Sequence, residues 1–266
     1  MYKFRYHKAQ SLDEAKKLLT ESNEGKILAG GQTLIPTMKQ RLASPEILID
    51  IGNIKEIQNI DKKNDSIIIG AGSKHSSVAA SDVVISYIPA LAELAENIGD
   101  PHVRHMGTIG GSISNNDPTA DYPAACLGLG ATIKTVDREI SADNFFTGFF
   151  DTCLNEDEIV IEVDFPIPEK SCYMKFPNPA SRYAMAGVFI AVFNSSVKVG
   201  VTGASENGVF RWTKMEDVLS SNFTVSEAEN IKLSPEGVMS DIHGDSDYRA
   251  NLVNVMAKRA VEKLNG

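Results

Sequence analysis

The segment "KILAGGQTLIPTMKQRL" (residues 26–42) combines a short apolar stretch, a glycine pair and an amphipathic run. This pattern predicts a strand over 26–29, a turn at Gly30 and Gly31, and a helix over 33–42. Glycine tolerates positive φ and lets a ligand approach backbone N–H groups with no Cβ in the way. A strand that enters a helix through such a turn directs several N–H donors at one point, which predicts an anion-binding loop.

A second glycine pair lies in the segment "HMGTIGGSISNNDPTAD" (residues 105–121). Hydroxyl and amide side chains flank both pairs: Gln32 and Thr33 at the first, and Thr108, Ser112, Ser114, Asn115 and Asn116 at the second. Two donor-rich turns without a lysine or a metal-binding carboxylate beside them fit a diphosphate bridge better than a phosphate that is transferred. A tight turn or close strand packing is the alternative explanation of each pair, and the residues leave it open.

The elements around the first glycine pair predict a small α/β unit. Ser11 and Glu14 form a capping box that starts a helix over 11–22. The apolar segment 46–51 predicts a buried strand parallel to the strand over 26–29. Further along, the patterns predict a hairpin over 57–72, a helix over 89–98, a polar loop over 99–107, a short helix and a strand within 120–136, and a strand over 157–165.

The best boundary in the chain is "FPIPEKS" (residues 165–171), where two prolines and two charges follow a strand. Beyond it, 184–193 and 197–204 predict adjacent antiparallel strands, and 208–213 continues the sheet. Residues 245–264 predict a closing amphipathic helix. The second part of the chain is therefore expected to be a small meander backed by helices, and the fold class is α+β.

Composition excludes several classes of protein. The 266 residues carry a net charge of -9, which argues against a nucleic-acid surface because phosphates require a basic face. No apolar stretch is long enough to span a membrane, and the N-terminus has no apolar signal core, so we expect a cytoplasmic protein. Three widely spaced cysteines, Cys126, Cys153 and Cys172, predict free thiols. They also exclude a self-contained iron–sulfur cluster, which needs about four cysteines at close spacing.

Other motifs are weaker. "GAGSKH" (residues 70–75) begins like the dinucleotide fingerprint G-x-G-x-x-G, but His75 occupies the last position and no acidic strand end follows at the expected distance. We therefore expect a hairpin exit there. "GLGATI" (128–133) precedes a strand instead of following one, and no phosphate-loop motif exists. No Ser/His/Asp or Cys/His nucleophile set is evident.

A metal site is a weak alternative for the polar segment 100–105. Asp100, His102 and His105 have an unspecific spacing, and neither a thiol nor a third histidine is near in sequence. A polar loop at an interface is the preferred interpretation. Asp121 follows the second glycine pair; it is either a helix-start charge or a carboxylate that accepts hydrogen bonds from ligand hydroxyl or amino groups.

Four segments together resemble a known family, the FAD-binding medium subunits of molybdenum hydroxylases. This is the xanthine dehydrogenase and aerobic carbon monoxide dehydrogenase group, and the likeness is greatest to carbon-monoxide-dehydrogenase-like members. The segments are "LAGGQTLIPTMKQRLASPEILIDI" (28–51), "IGDPHVRHMGTIGGSISNNDPTADYPAA" (98–125), "FFTGFFDTCLNEDEIVIEVDFP" (145–166) and "KFPNPASRYAMAGVFIAV" (175–192). The two glycine motifs, in this order and at this distance, carry most of the specificity.

The resemblance implies the α+β FAD-binding fold. An FAD-binding domain would cover 1–168, with α/β subdomains of about 1–55 and 56–168. A C-terminal flavoprotein domain, an antiparallel sheet with helices, would cover 169–266.

The resemblance also implies that the two glycine loops hold the pyrophosphate of FAD from both sides. Asp121 would lie near the ribityl and ribose end, Ile161 would pack on the adenine or flavin side, and Tyr183 would lie near the isoalloxazine ring. Alternatively, Tyr183 fills a domain interface. The full set of expected cofactor-binding residues is Leu28, Ala29, Gly30, Gly31, Gln32, Thr33, Leu34, Ile35, Thr108, Ile109, Gly110, Gly111, Ser112, Asn115, Asp121, Ile161 and Tyr183.

The implied function is electron transfer within an oxidoreductase complex. FAD would be the cofactor of this chain, while the molybdenum cofactor would lie in a large partner subunit and [2Fe–2S] clusters in a small one. The family assembles as a dimer of such three-subunit units. The chain would have no complete activity alone, no catalytic residue and no metal site.

Two rival functions stay open at the level of sequence. One is a stand-alone flavin-dependent oxidoreductase that acts directly on a small substrate, which would need an acid or base beside the flavin. The other is a nucleotide-binding or regulatory module without flavin, which would carry a nucleotide but no chromophore.

Three residues depart from the family pattern. Ser112 stands where asparagine is common, and Met106 stands where a polar or basic residue is common. Arg182 precedes Tyr183 where an acidic residue is frequent. A positive charge near the ring would favour the reduced, anionic flavin, so Arg182 is expected to alter the redox potential or the choice of electron acceptor.

Overall fold

Three main β-sheets organise the residues that the computed structural model describes, 1–194 and 196–266. The strands are β1 (Arg5–Lys8), β2 (Gly25–Leu28), β3 (Ile47–Asp50), β4 (Ile60–Lys63), β5 (Ser66–Gly70), β6 (Thr132–Thr135), β7 (Glu139–Ser141), β8 (Phe146–Gly148), β9 (Asp151–Thr152), β10 (Val160–Pro166), β11 (Lys170–Pro177), β12 (Ala184–Phe193), β13 (Ser196–Thr202) and β14 (Phe210–Arg211). Strands β8 and β9 form a separate two-stranded hairpin.

Helices cover these sheets. They are α1 (Leu12–Thr20), α2 (Leu34–Lys39), α3 (His75–Ala79), α4 (Asp82–Tyr87), α5 (Pro89–Glu96), α6 (Pro101–Met106), α7 (Ile109–Asn115), α8 (Tyr122–Leu129), α9 (Ala142–Phe145), α10 (Thr213–Ser221), α11 (Val225–Asn230) and α12 (Ser246–Asn265). A 3-10 turn covers Lys55–Ile57. In the part of the chain that the structure describes, no helix is both long and apolar enough to cross a membrane.

The first sheet is parallel, with the order β1-β3-β2. Its central strand β3 buries Ile47, Leu48 and Ile49, because it has a neighbour on each side and α1 packs over it. Ser11 caps α1 by accepting a hydrogen bond from the N–H of Glu14, as predicted. The predicted parallel pair is confirmed, but β1 was missed because its four residues are mostly exposed and lack an apolar pattern.

The second sheet is antiparallel in its described pairings, with the order β4-β5-β10-β6-β7. It contains the predicted hairpin as β4 and β5. Helix α8 is buried at all of its eight positions and lies between this sheet and the third one. This position explains why the sequence of α8 shows no amphipathic pattern.

The third sheet is the predicted meander, in the order β11-β12-β13-β14. The first eight of the ten residues of β12 are buried, because α8 packs on one face of the sheet and α12 on the other. Leu252, Met256 and Val261 of α12 contribute to the core beneath the sheet. The predicted α+β class is confirmed.

The prediction of a polar loop over 99–107 is wrong. Residues 101–106 form α6, which begins after Asp100: the Asp100 carboxylate accepts hydrogen bonds from the N–H groups of His102 at 2.7 Å and Val103 at 3.1 Å. An aspartate cap followed by proline at the first helical position is a recognised helix start. The polar composition of residues 99–107 nevertheless favoured the prediction of a loop.

The division into domains at residue 168 remains a proposal. The composition of the sheets supports it, because the strands up to residue 166 build the first two sheets and the β8–β9 hairpin, and the strands from residue 170 build the third. Helix α8 nevertheless packs against strands of the third sheet, so the two parts share buried surface.

Candidate cofactor site

The first glycine loop presents a row of backbone donors. Gly31 has φ +68°, which turns the chain sharply after β2 and into α2. Thr33 occupies the N-cap position but makes no side-chain cap. Within the described residues, no acceptor is found for the backbone N–H groups of Gly30, Gly31, Gln32, Thr33 and Leu34. A helix start with this many free N–H groups suits an anion.

The two glycine loops meet in space, although they are far apart in sequence. A Cβ added to Gly30 would lie 2.2 Å from the carbonyl oxygen of Met106 and 2.6 Å from Cα of Gly107. Backbone atoms cannot move aside as a flexible side chain can. Position 30 therefore has no room for any side chain, and the first loop packs directly on the residues that precede the second.

The second glycine pair does not form a turn, contrary to prediction. Gly110 and Gly111 lie in the first turn of α7, which Thr108 caps through its Oγ1 and the N–H of Gly111 at 3.1 Å. The N–H of Ile109 donates to Ser73 O at 3.0 Å. The expectation that these N–H groups point at a ligand is wrong for Ile109 and Gly110, because the chain itself uses them.

The segment 71–75 supports the second loop from behind. The N–H of Gly110 donates to Ala71 O at 2.9 Å, and a Cβ on Gly110 would lie 2.5 Å from Cβ of Ala71. The N–H of His75 donates to Gly107 O at 3.0 Å. The motif "GAGSKH" thus follows a hairpin strand, as expected, and its small residues let the second loop approach β5. Sequence reasoning missed this contact.

His75 is buried behind the second loop. Burial lowers the pKa of His75 to about 4, and the nearby positive charge of Arg104 adds to the effect. Its ring lies 5.4 Å from the ring of Tyr122, centroid to centroid. The imidazole is therefore neutral at physiological pH and serves as packing between α3 and α8.

Asp121 is the one carboxylate among the predicted cofactor contacts, and it is buried. Its Oδ1 accepts from the hydroxyl of Tyr173 at 2.5 Å and its Oδ2 from Nζ of Lys175 at 2.9 Å. It occupies the N-cap position of α8 but makes no side-chain cap hydrogen bond there, because Tyr173 and Lys175 engage its carboxylate. Burial raises the pKa of Asp121, and the Lys175 ammonium opposes that rise.

Lys175 and Tyr173 are site residues that sequence reasoning missed. Both side chains are nearly inaccessible to solvent and reach Asp121 from β11, in the third sheet. Nζ of Lys175 also donates to Asn97 O at 3.2 Å. The signal in the sequence was a lysine within a strand of otherwise mostly apolar residues, which requires a partner when it is buried.

Ile161 and Tyr183 are predicted contacts that lie outside the two glycine loops. Ile161 and Ala29 both pack against the core cluster of the first sheet, and the Ile161 carbonyl accepts from the N–H of Ala71. Tyr183 is half-exposed; burial raises its pKa, with further contributions from the charges of Asp117 and Asp121. Tyr183 is therefore near enough to Asp117 and Asp121 for their charges to act on its hydroxyl group.

The remaining predicted contacts are near these groups. Gln32 donates from Nε2 to Gly30 O at 3.2 Å, while Ser112 and Asn115 are half-buried on α7. Leu28 and Ile35 flank Gly31, within 3.1 Å of where a Cβ on Gly31 would stand. The role of every one of these side chains toward a cofactor stays a prediction.

Asn116 and Asp100 hold the local structure of the chain. Asn116, in the left-handed conformation, donates from Nδ2 to Gly148 O and Asp151 O, which holds the β8–β9 hairpin. Asp100 caps α6. In the described part of the chain, no three His, Cys, Asp or Glu side chains gather in a way that could hold a metal ion.

The site as a whole fits a dinucleotide. Free N–H groups of the first loop are suited to a diphosphate, Ile161 is an apolar residue packed on the same core cluster as Ala29, and Asp121 and Tyr183 add a carboxylate and an aromatic ring. Position 30 must be glycine because the backbone of residues 106–107 lies against it, and Gly31 supplies the positive φ of the turn.

Comparison with known proteins agrees with this geometry. Residues 2–168 match the model of the FAD binding domain in molybdopterin dehydrogenase. The glyceraldehyde dehydrogenase medium chain of Sulfolobus acidocaldarius is 33% identical, with 98% of both chains covered. The carbon monoxide dehydrogenase medium chain of Hydrogenophaga pseudoflava is 32% identical, over 97% of this chain and 96% of that one.

A solved structure shows the same architecture. A chain of reconstituted CO dehydrogenase from Oligotropha carboxidovorans superposes with a TM-score of 0.87 at 30% identity, over 98% of this chain and 97% of that one. FAD is therefore the cofactor of this chain, which forms part of an oxidoreductase. The chain belongs to the molybdopterin dehydrogenase FAD-binding family, as an FAD-binding medium subunit of the molybdenum hydroxylase type.

Proposed function

We propose that this chain is the electron-transfer subunit of a molybdenum hydroxylase complex. Electrons would arrive one at a time from [2Fe–2S] clusters in a small partner subunit and leave through FAD to an external acceptor. Oxidation of the substrate would occur at the molybdenum cofactor in a large partner subunit. The names of the relatives support this proposal, since they are medium chains of carbon monoxide and glyceraldehyde dehydrogenases.

The row of free N–H groups from Gly30 to Leu34 carries the proposal. These donors lie at the start of α2, where the positive end of the helix dipole adds roughly 0.3–1 kcal/mol to the binding of an anion. A diphosphate can use several of them at once, whereas the single phosphate of FMN can use fewer. The loop therefore selects the dinucleotide, FAD, over the mononucleotide.

The residues of the site bind and orient the flavin and do not act on a substrate. FAD, when bound, supplies a store for two electrons that can be filled and emptied singly. We expect the first loop to hold the diphosphate, Asp121 to accept from hydroxyl groups of the chain between diphosphate and ring, and Tyr183 to border the ring. No residue of this site needs to act as a general acid or base in electron transfer.

Assembly follows from the same proposal. A large molybdenum-binding subunit and a small iron–sulfur subunit would complete the complex, as a dimer of heterotrimers in the cytoplasm. Co-expression of this chain with the large and the small partner subunit, followed by size-exclusion chromatography, tests whether the three form a complex. A chain that stays monomeric and elutes apart from both partner subunits would contradict the proposed assembly.

A binding titration tests the cofactor selectivity first. The purified full chain is titrated with FAD and, in parallel, with FMN, and binding is followed by flavin fluorescence. Tight binding of FAD with at least about tenfold weaker binding of FMN is expected, because the diphosphate adds hydrogen bonds worth more than about 1.4 kcal/mol. Equal affinities would contradict the role assigned to the first loop.

A further inference from the structure

Basic and apolar side chains are exposed together at one edge of the first sheet. Among the described strands, β1 pairs only with β3, so it forms that edge. The exposed side chains there, which we call the edge surface, are Tyr2, Lys3, Tyr6, Lys8, Arg41 and Leu42. None of them is among the predicted cofactor contacts, and the proposed function assigns no role to them.

The outer side of β1 offers unpaired backbone groups. The N–H groups of Arg5 and Ala9 donate to carbonyl oxygens at the two ends of β3, at 2.9 and 3.0 Å. Because neighbouring residues of a strand direct their N–H groups to opposite sides, those of Tyr6 and Lys8 point away from β3. No strand of the described chain lies on that side. Such an edge can pair with an extended segment of another chain.

The cations of the edge surface are unpaired, whereas the carboxylates beside β1 are engaged. Glu46 pairs with Arg5 at 2.5 Å, and Asp50 accepts a hydrogen bond from the hydroxyl of Tyr6. Three side chains of the edge surface make no hydrogen bond or ion pair with any described residue: Lys3, Lys8 and Arg41. Since the whole chain has a net charge of -9, this positive charge is local, and an acidic surface complements it.

The turn after α2 directs Arg41 toward Tyr2. Arg41 has φ +64°, the left-handed conformation that usually requires glycine at a helix end. The N–H of Arg41 donates to Met38 O at 3.1 Å, and the N–H of Leu42 donates to Thr37 O at 3.0 Å. The guanidinium carbon of Arg41 lies 5.9 Å from the centre of the Tyr2 ring. Part of the edge surface is therefore held in place before a partner binds, which lowers the entropy cost of binding.

Two other occupants fit the edge surface less well. A second copy of this chain would bring its own basic β1 against this one, and like charges that face each other across paired strands repel. An anionic membrane would attract the local cations but repel a chain with a net charge of -9. It would also leave the backbone groups of β1 unpaired. An extended, acidic segment of protein matches the charges, the apolar side chains and the strand edge at once.

We propose that the edge surface binds an extended, acidic segment of a partner subunit, which adds a strand to the outer side of β1. The identification of the occupant as a partner subunit rests on the proposed function, in which this chain is part of a complex. The segment would form backbone hydrogen bonds at Tyr6 and Lys8. Its carboxylates would pair with Lys3, Lys8 and Arg41, and its apolar side chains would cover the ring of Tyr2.

Stepwise dilution of the complex purified after co-expression with both partner subunits, followed by size-exclusion chromatography, tests the role of the charges. The double variant Lys3→Glu and Lys8→Glu should raise the concentration at which the complex dissociates about tenfold or more, because it reverses two attractive charges. The difference from wild type should shrink in about 0.5 M NaCl, which screens charges. The double variant Lys55→Glu and Lys63→Glu is the control. It makes the same charge change at exposed positions on and near β4, another edge strand, and should change nothing.

A second pair of variants tests the strand pairing separately from the charge. Lys8→Thr and Lys8→Pro both remove the ammonium group, but only proline also removes the outward N–H, at a position where an edge strand tolerates it. The Lys8→Pro complex should dissociate at a concentration about fivefold higher than the Lys8→Thr complex, because it lacks a backbone hydrogen bond. Equal FAD affinity of the two variants shows that both are folded. Equal dissociation of the two complexes would overturn the added strand.

The remaining outcomes separate this proposal from the proposed function. A wild-type chain that forms no complex would contradict the proposed function, and this proposal with it. A wild-type complex that is no more stable to dilution than the complex of Lys3→Glu and Lys8→Glu would overturn the edge surface alone. Two further results would assign the surface to another occupant. Self-association of the free chain that this double variant abolishes would indicate a second copy, and similarly abolished sedimentation with phosphatidylserine vesicles would indicate a membrane.

Discussion

The two glycine pairs of this protein share a dipeptide and differ in almost every other respect. Gly30 and Gly31 form a turn between β2 and α2, and the N–H groups that follow have no acceptor among the described residues. Gly110 and Gly111 lie within α7, and the N–H groups there bind Ala71, Ser73 and Thr108. The first pair is therefore suited to hold a ligand, and the second is suited to hold the first pair in place.

The difference shows that a glycine pair indicates the close approach of another group to the backbone, but not whether that group is a ligand or another part of the chain. At Gly30 the backbone of Met106 comes near, and at Gly110 the backbone of Ala71 does. Only the first leaves its donors to a cofactor. The second loop is also anchored to the core, because Asp121, a few residues after α7, forms a buried ion pair with Lys175.

The largest expected effect comes from breaking that anchor. Lys175→Met would leave the buried Asp121 carboxylate without its cation and should destabilise the FAD-free chain by about 3–5 kcal/mol in urea unfolding at pH 8. The pKa of Asp121 is already raised by burial and would rise further without Lys175. Because protonation then relieves the cost, the deficit should shrink as the pH falls toward 5.

The matched control for this variant is the double substitution Lys175→Met and Asp121→Asn. It removes both charges and should recover much of the lost stability. Its stability should also depend less on pH between 8 and 5 than that of Lys175→Met, because no carboxylate is left at position 121 to take up a proton. A deficit that is equally large in the double variant would mean that lost packing, and not an unpaired charge, explains the effect.

The next effect separates the two glycine pairs directly. Gly30→Ala places a Cβ against the Met106 backbone and should push the loops apart, at a cost of about 2–3 kcal/mol, the upper part of the range for overpacking. FAD affinity should fall by roughly 30–100-fold in the fluorescence titration. Gly111→Ala is the control, because its Cβ would meet only Oγ1 of Thr108 at 3.0 Å. Equal losses in both variants would remove the distinction between the loops.

The support behind the second loop predicts a dependence on pH. The pKa of His75 is lowered from 6.5 to about 4 in the folded chain, so the unfolded chain binds its proton first as the pH falls. The contribution of neutral His75 to stability is present above pH 6.5 and is lost as the pH falls toward 4. At pH 5 the loss should reach about 2 kcal/mol.

Comparison of wild type with His75→Phe isolates this contribution. The aromatic replacement keeps the bulk of the ring and cannot be protonated, so its stability relative to wild type should rise between pH 7.5 and pH 5. Urea unfolding at both pH values measures it. A difference between the two proteins that stays constant with pH would show that His75 titrates normally.

The smallest effect concerns α6, the helix that ends where the two loops meet. Asp100→Ala removes the cap of α6 and should cost about 1 kcal/mol of stability. Asp100→Asn keeps an acceptor for the N–H groups of His102 and Val103 and should lose less than half of that. Thermal unfolding of both variants gives the comparison, and equal losses would point to the charge of Asp100 instead of its capping bonds.

Local patterns in the sequence determined much of this protein. The strand, glycine turn and helix at 25–39, the hairpin of β4 and β5, and the meander that ends in α12 are all found as predicted in kind. Each depends on periodicity, capping and turn residues that are neighbours in sequence. The two glycine motifs resemble those of a known family, and this resemblance identified FAD. Each motif could be recognised because its residues are neighbours in sequence.

Only the tertiary structure decided which donors are free. The N–H groups of Ile109 and Gly110 donate to backbone oxygens of the segment 71–73. No local pattern in the sequence connects that segment with α7. In the same way, Lys175 on β11 meets Asp121 at the start of α8, and Arg182 lines the same cavity as Arg104. A hydrogen bond between distant segments depends on how the sheets pack, and packing is a property of the whole chain that no short stretch of sequence contains.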